Sequence, residues 1–83
     1  MLENLEMEFK EMLSKLTGLE PTEIGDEDDL FKDLGIDSLK VIEIATQIER
    51  NYKVVVKDSQ LARLRTVKDA VTFLRDLLEK KNA

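Results

Sequence analysis

Thr66-Val67-Lys68-Asp69-Ala70-Val71-Thr72-Phe73-Leu74-Arg75-Asp76-Leu77-Leu78 settles the fold class of this 83-residue chain. Val67, Ala70, Val71, Leu74, Leu77 and Leu78 recur at the i, i+3, i+4, i+7 spacing that gathers side chains on one helix face. Thr66 and Asp69 open that segment as a capping box, each side chain able to satisfy the other's backbone N–H. Towards the amino terminus, Leu39, Ile42, Ala45, Ile48 and Tyr52 make a second stripe, widened by Val41 and Ile44, with Asp37 placed as its N-cap. A third stripe runs through Leu2, Leu5, Phe9, Met12, Leu13 and Leu16, and Thr17-Gly18 supplies a glycine able to stop it in a left-handed conformation. Val54-Val55-Val56 favours a strand by composition, but no second strand exists for it to pair with, so an extended connector is expected. It leads into a short helix capped by Asp58, with Leu61 and Leu64 pointing inward. The expectation is an all-α, single-domain, four-helix bundle with helices at about 2–17, 38–51, 59–64 and 67–80, three longer and one short. Its expected core is Leu5, Phe9, Leu13, Phe31, Ile42, Ile48, Leu64, Val71 and Leu74.

Composition narrows the function. At 9.6 kDa the chain allows one small domain. Neither cysteine nor histidine is present. Disulfides, thiolate nucleophiles, the commonest general base and the commonest transition-metal ligand are therefore all missing. No catalytic residue and no metal site is expected. The beginning, Met1-Leu2-Glu3-Asn4, is acidic and lacks the basic segment and apolar run of a signal peptide, and no apolar run approaches the ~20 residues that span a bilayer. A cytoplasmic, monomeric module is expected, because its apolar residues can be buried within one chain.

Charge is unevenly spread. Residues 1–39 hold 12 Asp/Glu against 3 Lys/Arg, and residues 40–83 hold 6 against 10, within a total of −5. With one Tyr, three Phe and no Trp, this balance argues against nucleic-acid binding. The acidic run Asp26-Glu27-Asp28-Asp29 suggests calcium, but an EF-hand loop from Asp26 would place Leu30 and Phe31 where a ligand and a glycine are required. A solvated loop is the better reading of that run.

The loop from Gly18 to Asp37, about 20 residues, is long for so small a domain, and long ordered loops tend to carry function. Ile24, Leu30, Phe31, Leu34 and Ile36 are expected to pin it to the core. Leu30 to Leu34 should form one helical turn, capped by Asp28 or Asp29 and closed by Gly35. The loop ends in Asp33-Leu34-Gly35-Ile36-Asp37-Ser38-Leu39-Lys40. Read plainly, Gly35 makes a turn, Asp37 caps a helix and Ser38 is an ordinary first-turn residue. Read functionally, a serine hydroxyl stands at a helix N-terminus, where an attached phosphodiester would meet free N–H groups and the positive end of the helix dipole. Without a base in the chain, covalent chemistry at Ser38 needs another protein to perform it.

Gly35-Ile36-Asp37-Ser38-Leu39 resembles the prosthetic-group attachment motif of the acyl carrier proteins. The resemblance extends over nearly the whole chain: Thr66-Val67-Lys68-Asp69-Ala70 matches the start of the family's fourth helix, and Glu43 and Glu49 match acidic positions on its second. It implies a 4′-phosphopantetheine arm, transferred from coenzyme A to Ser38 by a phosphopantetheinyl transferase, with acyl groups riding on the arm as thioesters. Asp37 would orient the arm and assist the transferase, with Leu39 beside it. Lys40, Val41, Glu43 and Glu49 would be read by acyl-loading, elongating and acyl-transfer enzymes. Ile44, Ile48, Val56, Leu61, Leu64, Ala70 and Leu74 match positions lining the family's acyl-binding core. The chain would be a shuttle for fatty acid or related acyl biosynthesis and not an enzyme.

Two departures stand out. Lys40 and Arg50 occupy places where the family's second helix is usually acidic, which leaves residues 38–51 neutral and weakens steering towards basic partners. That points to a narrower partner set. A discrete carrier for polyketide, nonribosomal peptide or aminoacyl transfer shares the same motif, and an acidic helical adaptor with no arm is the alternative from another class.

Overall fold

The computed structural model describes residues 4–82; the expected helix start at Leu2 lies outside them. Four α-helices follow one another: α1 (Leu5–Thr17), α2 (Ser38–Tyr52), α3 (Asp58–Ala62) and α4 (Val67–Asn82), with a 3₁₀ turn at Pro21–Glu23 in the long loop. Val54 to Val56 runs as an extended connector, and the only β-type pairing among the described residues is an isolated antiparallel bridge between Asp29 and Thr66.

Local chemistry sets each helix boundary. Gly18 adopts φ +83° and donates its N–H to the Ser14 carbonyl at 2.9 Å, closing α1. Asp37 caps α2 by accepting the Lys40 N–H at 2.9 Å. The capping box at α4 forms as expected: the Asp69 N–H donates to Thr66 Oγ1 at 3.1 Å and the Thr66 N–H donates to Asp69 Oδ2 at 3.2 Å. The short helix departs from expectation. It starts at Asp58, so the N-cap is Lys57, whose N–H donates to the Gln60 side chain at 3.0 Å, and it ends at Ala62 instead of residue 64. Gln60, three residues on, thus supplies the half of a capping box in which the N3 side chain accepts the N-cap N–H.

The core gathers Leu5, Phe9 and Leu13 of α1, Val41, Ile44, Ala45 and Ile48 of α2, Leu61 of α3, and Val67, Ala70, Val71, Leu74 and Leu78 of α4. Ile24, Leu30, Leu34 and Ile36 of the loop join it, along with Val56 of the connector. Three residues expected in the core behave otherwise. Ile42 is 47% exposed, Phe31 is 37% exposed, and Leu64 is half-buried at the margin. The inward stripe of α2 is Val41-Ile44-Ala45-Ile48, one residue out of step with the stripe through Leu39 and Ile42. Phe31 sits one step off the Leu30–Leu34 pair that faces inward on the same turn.

The long loop is tied to the start of α4. The Leu30 N–H donates to the Arg65 carbonyl at 2.7 Å, the Val67 N–H to the Asp28 carbonyl at 3.1 Å, and the Lys68 N–H to the Asp26 carbonyl at 2.9 Å. Two of the orphan donors that every helix N-terminus leaves are therefore taken up by loop carbonyls. Lys10 of α1 reaches Asp26 at 2.8 Å and Glu6 at 3.3 Å, adding a link from the other side. At the opposite end of α2 the Tyr52 hydroxyl donates to Glu8 Oε1 at 2.6 Å, and the Lys81 ammonium donates to the Tyr52 carbonyl at 2.8 Å. Burial first, and the bond to Glu8 second, hold the Tyr52 phenol above its ordinary value and so neutral.

Lys53 ends α2 at φ +58°, left-handed without being glycine, and its N–H donates to the Glu49 carbonyl at 2.9 Å. That conformation costs a side-chain-bearing residue about 1–2 kcal/mol, part of which glycine forfeits through its freer unfolded state. Lys53→Gly should raise stability by about 0.5–1 kcal/mol and the thermal midpoint by roughly 3–6 °C, read by calorimetry. An unchanged or lower midpoint would show that the lysine side chain contributes more than its backbone costs.

Candidate functional site

The loop delivers Ser38 to the surface. Asp29 organises the turn before it, accepting the Phe31 N–H at 2.9 Å and the Lys32 N–H at 2.8 Å on one carboxylate oxygen. Of the two expected caps Asp29 is the one used; Asp28 turns back to accept the Gly25 N–H at 2.8 Å. Gly35 follows at φ +68°, and the Ile36 N–H donates to the Leu30 carbonyl at 3.0 Å, so the chain reverses over a buried Ile36. Asp37 is extended at φ −108° and ψ −176°, the geometry of an N-cap, and α2 begins at an exposed Ser38. The bond from the Lys40 N–H is the first cause holding the Asp37 carboxyl below its ordinary value of 3.8, with the Lys40 charge a lesser one.

Beside Ser38 lies a cleft of about 400 Å³ between α2 and α3, lined by Phe31, Ser38, Val41, Ile42, Ser59 and Ala62. Its walls are mostly apolar, with the two serines at polar points. Phe31 and Ile42, which leave the core, furnish part of these walls. Ser38 therefore joins an exposed hydroxyl, the positive end of a 15-residue helix and an adjacent apolar trough.

A profile described as "Phosphopantetheine attachment site" matches residues 8–74. "Meromycolate extension acyl carrier protein" of Mycobacterium leprae (strain TN) is 48% identical over 69 residues, 83% of this chain and 60% of that protein. The chain thus spans about three fifths of the length of that relative. "Acyl carrier protein" of Rhodococcus erythropolis is 41% identical over 85 positions, covering 98% of this chain and 93% of that one. The crystal structure of an acyl carrier protein from Thermotoga maritima superposes with a TM-score of 0.78 at 28% identity, covering 96% of this chain and 93% of that one. The chain belongs to the acyl carrier protein family.

The group that this family bears covalently is 4′-phosphopantetheine, and the family is one of carriers, not enzymes. The residues here suit such a group: an exposed serine at a helix N-terminus for the phosphodiester, and an apolar trough for what the arm brings. Ser38, Asp37 and Leu39 adjoin in the acyl carrier motif, with Leu39 71% exposed.

The residues expected to face partners do not share one surface. Glu43 is exposed and Lys40 half-buried. Val41 is buried at 7%, because it lies on the inward stripe with Ile44 and Ile48. Glu49 is partly buried and accepts the Val56 N–H at 2.7 Å, so its carboxylate anchors the connector between α2 and α3. Of the expected acyl-lining residues, Ile44, Ile48, Val56, Leu61, Ala70 and Leu74 are close-packed in the core and Leu64 borders it. The open trough is walled by Phe31, Ile42 and Ala62, none of which was expected there. The signal for Ile42 was its place on the helix wheel, about 100° from Val41 and about 160° from Ile44. For Ala62 no signal existed before α3 was placed beside α2.

A carboxylate held below its ordinary value stabilises the fold above that value and ceases to do so as pH falls through the lowered one. Asp37→Asn should therefore be less stable than wild type at neutral pH. The gap in urea midpoint should close as pH is lowered through and below 3.8. A gap that persisted in acid would assign the loss to packing and not to the Asp37 charge.

Proposed function

We propose that this chain is an acyl carrier protein whose Ser38 bears the 4′-phosphopantetheine arm, on which fatty acyl intermediates ride as thioesters. The observation that carries the reading is the exposed Ser38 hydroxyl at the N-terminus of α2, at the rim of an apolar cleft. Asp37 fixes the start of α2 and so the direction in which Ser38 projects. With no histidine or cysteine in the chain, the transfer from coenzyme A is performed by a phosphopantetheinyl transferase. Acyl-loading, elongating and acyl-transfer enzymes are then its partners, approached from a monomer in the cytoplasm. Among the described residues no helix is long and apolar enough to cross a membrane.

Incubation with coenzyme A and a broad-specificity phosphopantetheinyl transferase should add one arm to the wild type and none to Ser38→Ala, read by intact mass. A folded wild type that gains nothing while a control carrier reacts would leave the armless adaptor as the better reading.

For the cargo, the trough between α2 and α3 is the path we assign. Val41 lines it and belongs to the same stripe as Ile44 and Ile48, so a chain advancing from Ser38 meets the packed core of Ile44, Leu61, Ala70 and Leu74. Each methylene withdrawn from water along that path contributes about 0.8 kcal/mol. The thermal midpoint of the acylated protein should climb with chain length. Ala62→Phe, a change at an exposed residue of the trough, should leave arm attachment intact and flatten that climb. An undiminished climb in Ala62→Phe would place the acyl chain elsewhere.

A further inference from the structure

One residue holds both ends of the connector between α2 and α3. The Glu49 carbonyl accepts the Lys53 N–H at 2.9 Å, and the Glu49 carboxylate accepts the Val56 N–H at 2.7 Å. A bond to a carboxylate is among the stronger ones a backbone donor makes. Val56 is buried, so its N–H needs a partner inside the protein. Only Lys57 then separates Val56 from α3. With five residues, α3 is far shorter than the ~12–15 a helix needs to persist alone, so its place is set by what holds it. Leu61 buries one face of it, and beyond its end the Arg65 carbonyl accepts the Leu30 N–H at 2.7 Å. That tie runs backbone to backbone; the tie at Val56 hangs on one side chain.

α3 brings Ser59 and Ala62 to the trough whose other wall is Val41 and Ile42 of α2. Movement of α3 away from α2 therefore changes the width of that trough. Glu49 lies roughly 16 Å along α2 from Ser38, at about 1.5 Å per residue, too far for its side chain to touch the attachment point. We infer that Glu49 is a positioning residue for the trough: by holding Val56 it fixes α3 against α2, and so sets how closely the cleft beside Ser38 encloses an acyl chain. Without that carboxylate the Val56 N–H must turn to water, which draws the connector and the start of α3 outward. Enclosure of an acyl chain rests on the carrier reading; the placement of α3 does not.

The test compares the wild type with Glu49→Gln, which keeps an oxygen acceptor at the same reach, and Glu49→Ala, which removes it. In the unmodified full chain, amide exchange at Val56 and through residues 59–62 should quicken about tenfold or more in Glu49→Ala, relative to α1 and α4, and return most of the way in Glu49→Gln. The methyl signals of Val41, Ile42 and Ala62 should shift in the alanine variant and much less in the glutamine one. On acylated protein, the rise of the thermal midpoint with chain length should flatten in Glu49→Ala, each form being measured against its own unmodified midpoint. Met12→Ala, a buried change on α1 away from the trough lining, should lower stability and keep the full rise. Unchanged exchange at Val56, exchange that quickens evenly over all four helices, or an effect that glutamine does not reverse would overturn the hold on α3. Unmoved trough methyls or an undiminished rise would overturn the hold on the trough. Failure to take up the arm, read by mass, would overturn the carrier reading and leave the exchange and methyl results standing.

Discussion

The constraint on which the rest depends is the backbone of the long loop. About 20 residues between α1 and α2 lie outside long helices, and their amide groups must find partners in a molecule with little interior to hide them. The solution is reciprocal. Carbonyls of Asp26 and Asp28 accept N–H groups from the first turn of α4, while the Leu30 N–H reaches the Arg65 carbonyl. Each segment thereby satisfies donors or acceptors that the other leaves over. Ile24, Leu30, Leu34 and Ile36 then bury against the helices, so the loop is a fourth wall of the core. Because Ile36 is fixed, Asp37 and Ser38 have a fixed address. A looser loop would present the same serine hydroxyl without a defined helix start beneath it.

Much of this was legible in the sequence, and the reasons differ by element. Gly18, Asp37 and the Thr66–Asp69 pair are boundary signals whose physics is local, and each acts where its residue type predicts. The approach to Ser38 was legible for the same reason: the Gly35 turn, the Asp37 cap and the first residue of α2 follow one another within five residues. What the sequence obscured was rotation. α2 carries apolar residues at Leu39, Val41, Ile42, Ile44, Ala45 and Ile48, enough to draw two overlapping stripes, and periodicity cannot say which one the other helices cover. The structure covers the one through Val41 and Ile48 and leaves Leu39 and Ile42 outside. Glu49 hid its role similarly. On a helix wheel it is one more charged residue, and only the fold of the connector brings the Val56 N–H to its carboxylate. The tie between the loop and the start of α4 involves backbone atoms 35 or more residues apart, for which side-chain identity holds no signal.

These two outcomes on α2 have one physical consequence. Leaving Ile42 and Phe31 partly in water forgoes part of the roughly 1.5–3 kcal/mol that full burial of each side chain supplies, which matters in a chain whose whole stability is of order 10 kcal/mol. The same two side chains wall the trough beside Ser38, while Leu39 and Ile42 stand exposed on the outer face of α2. On the proposed carrier reading, apolar surface withheld from the core is thereby placed where a tethered cargo and a docking enzyme would both meet it. Burial of Ile42 by one would alter what the other meets. A chain-loaded protein and an unloaded one would then differ at the surface that partners touch, with no change in the charges around it.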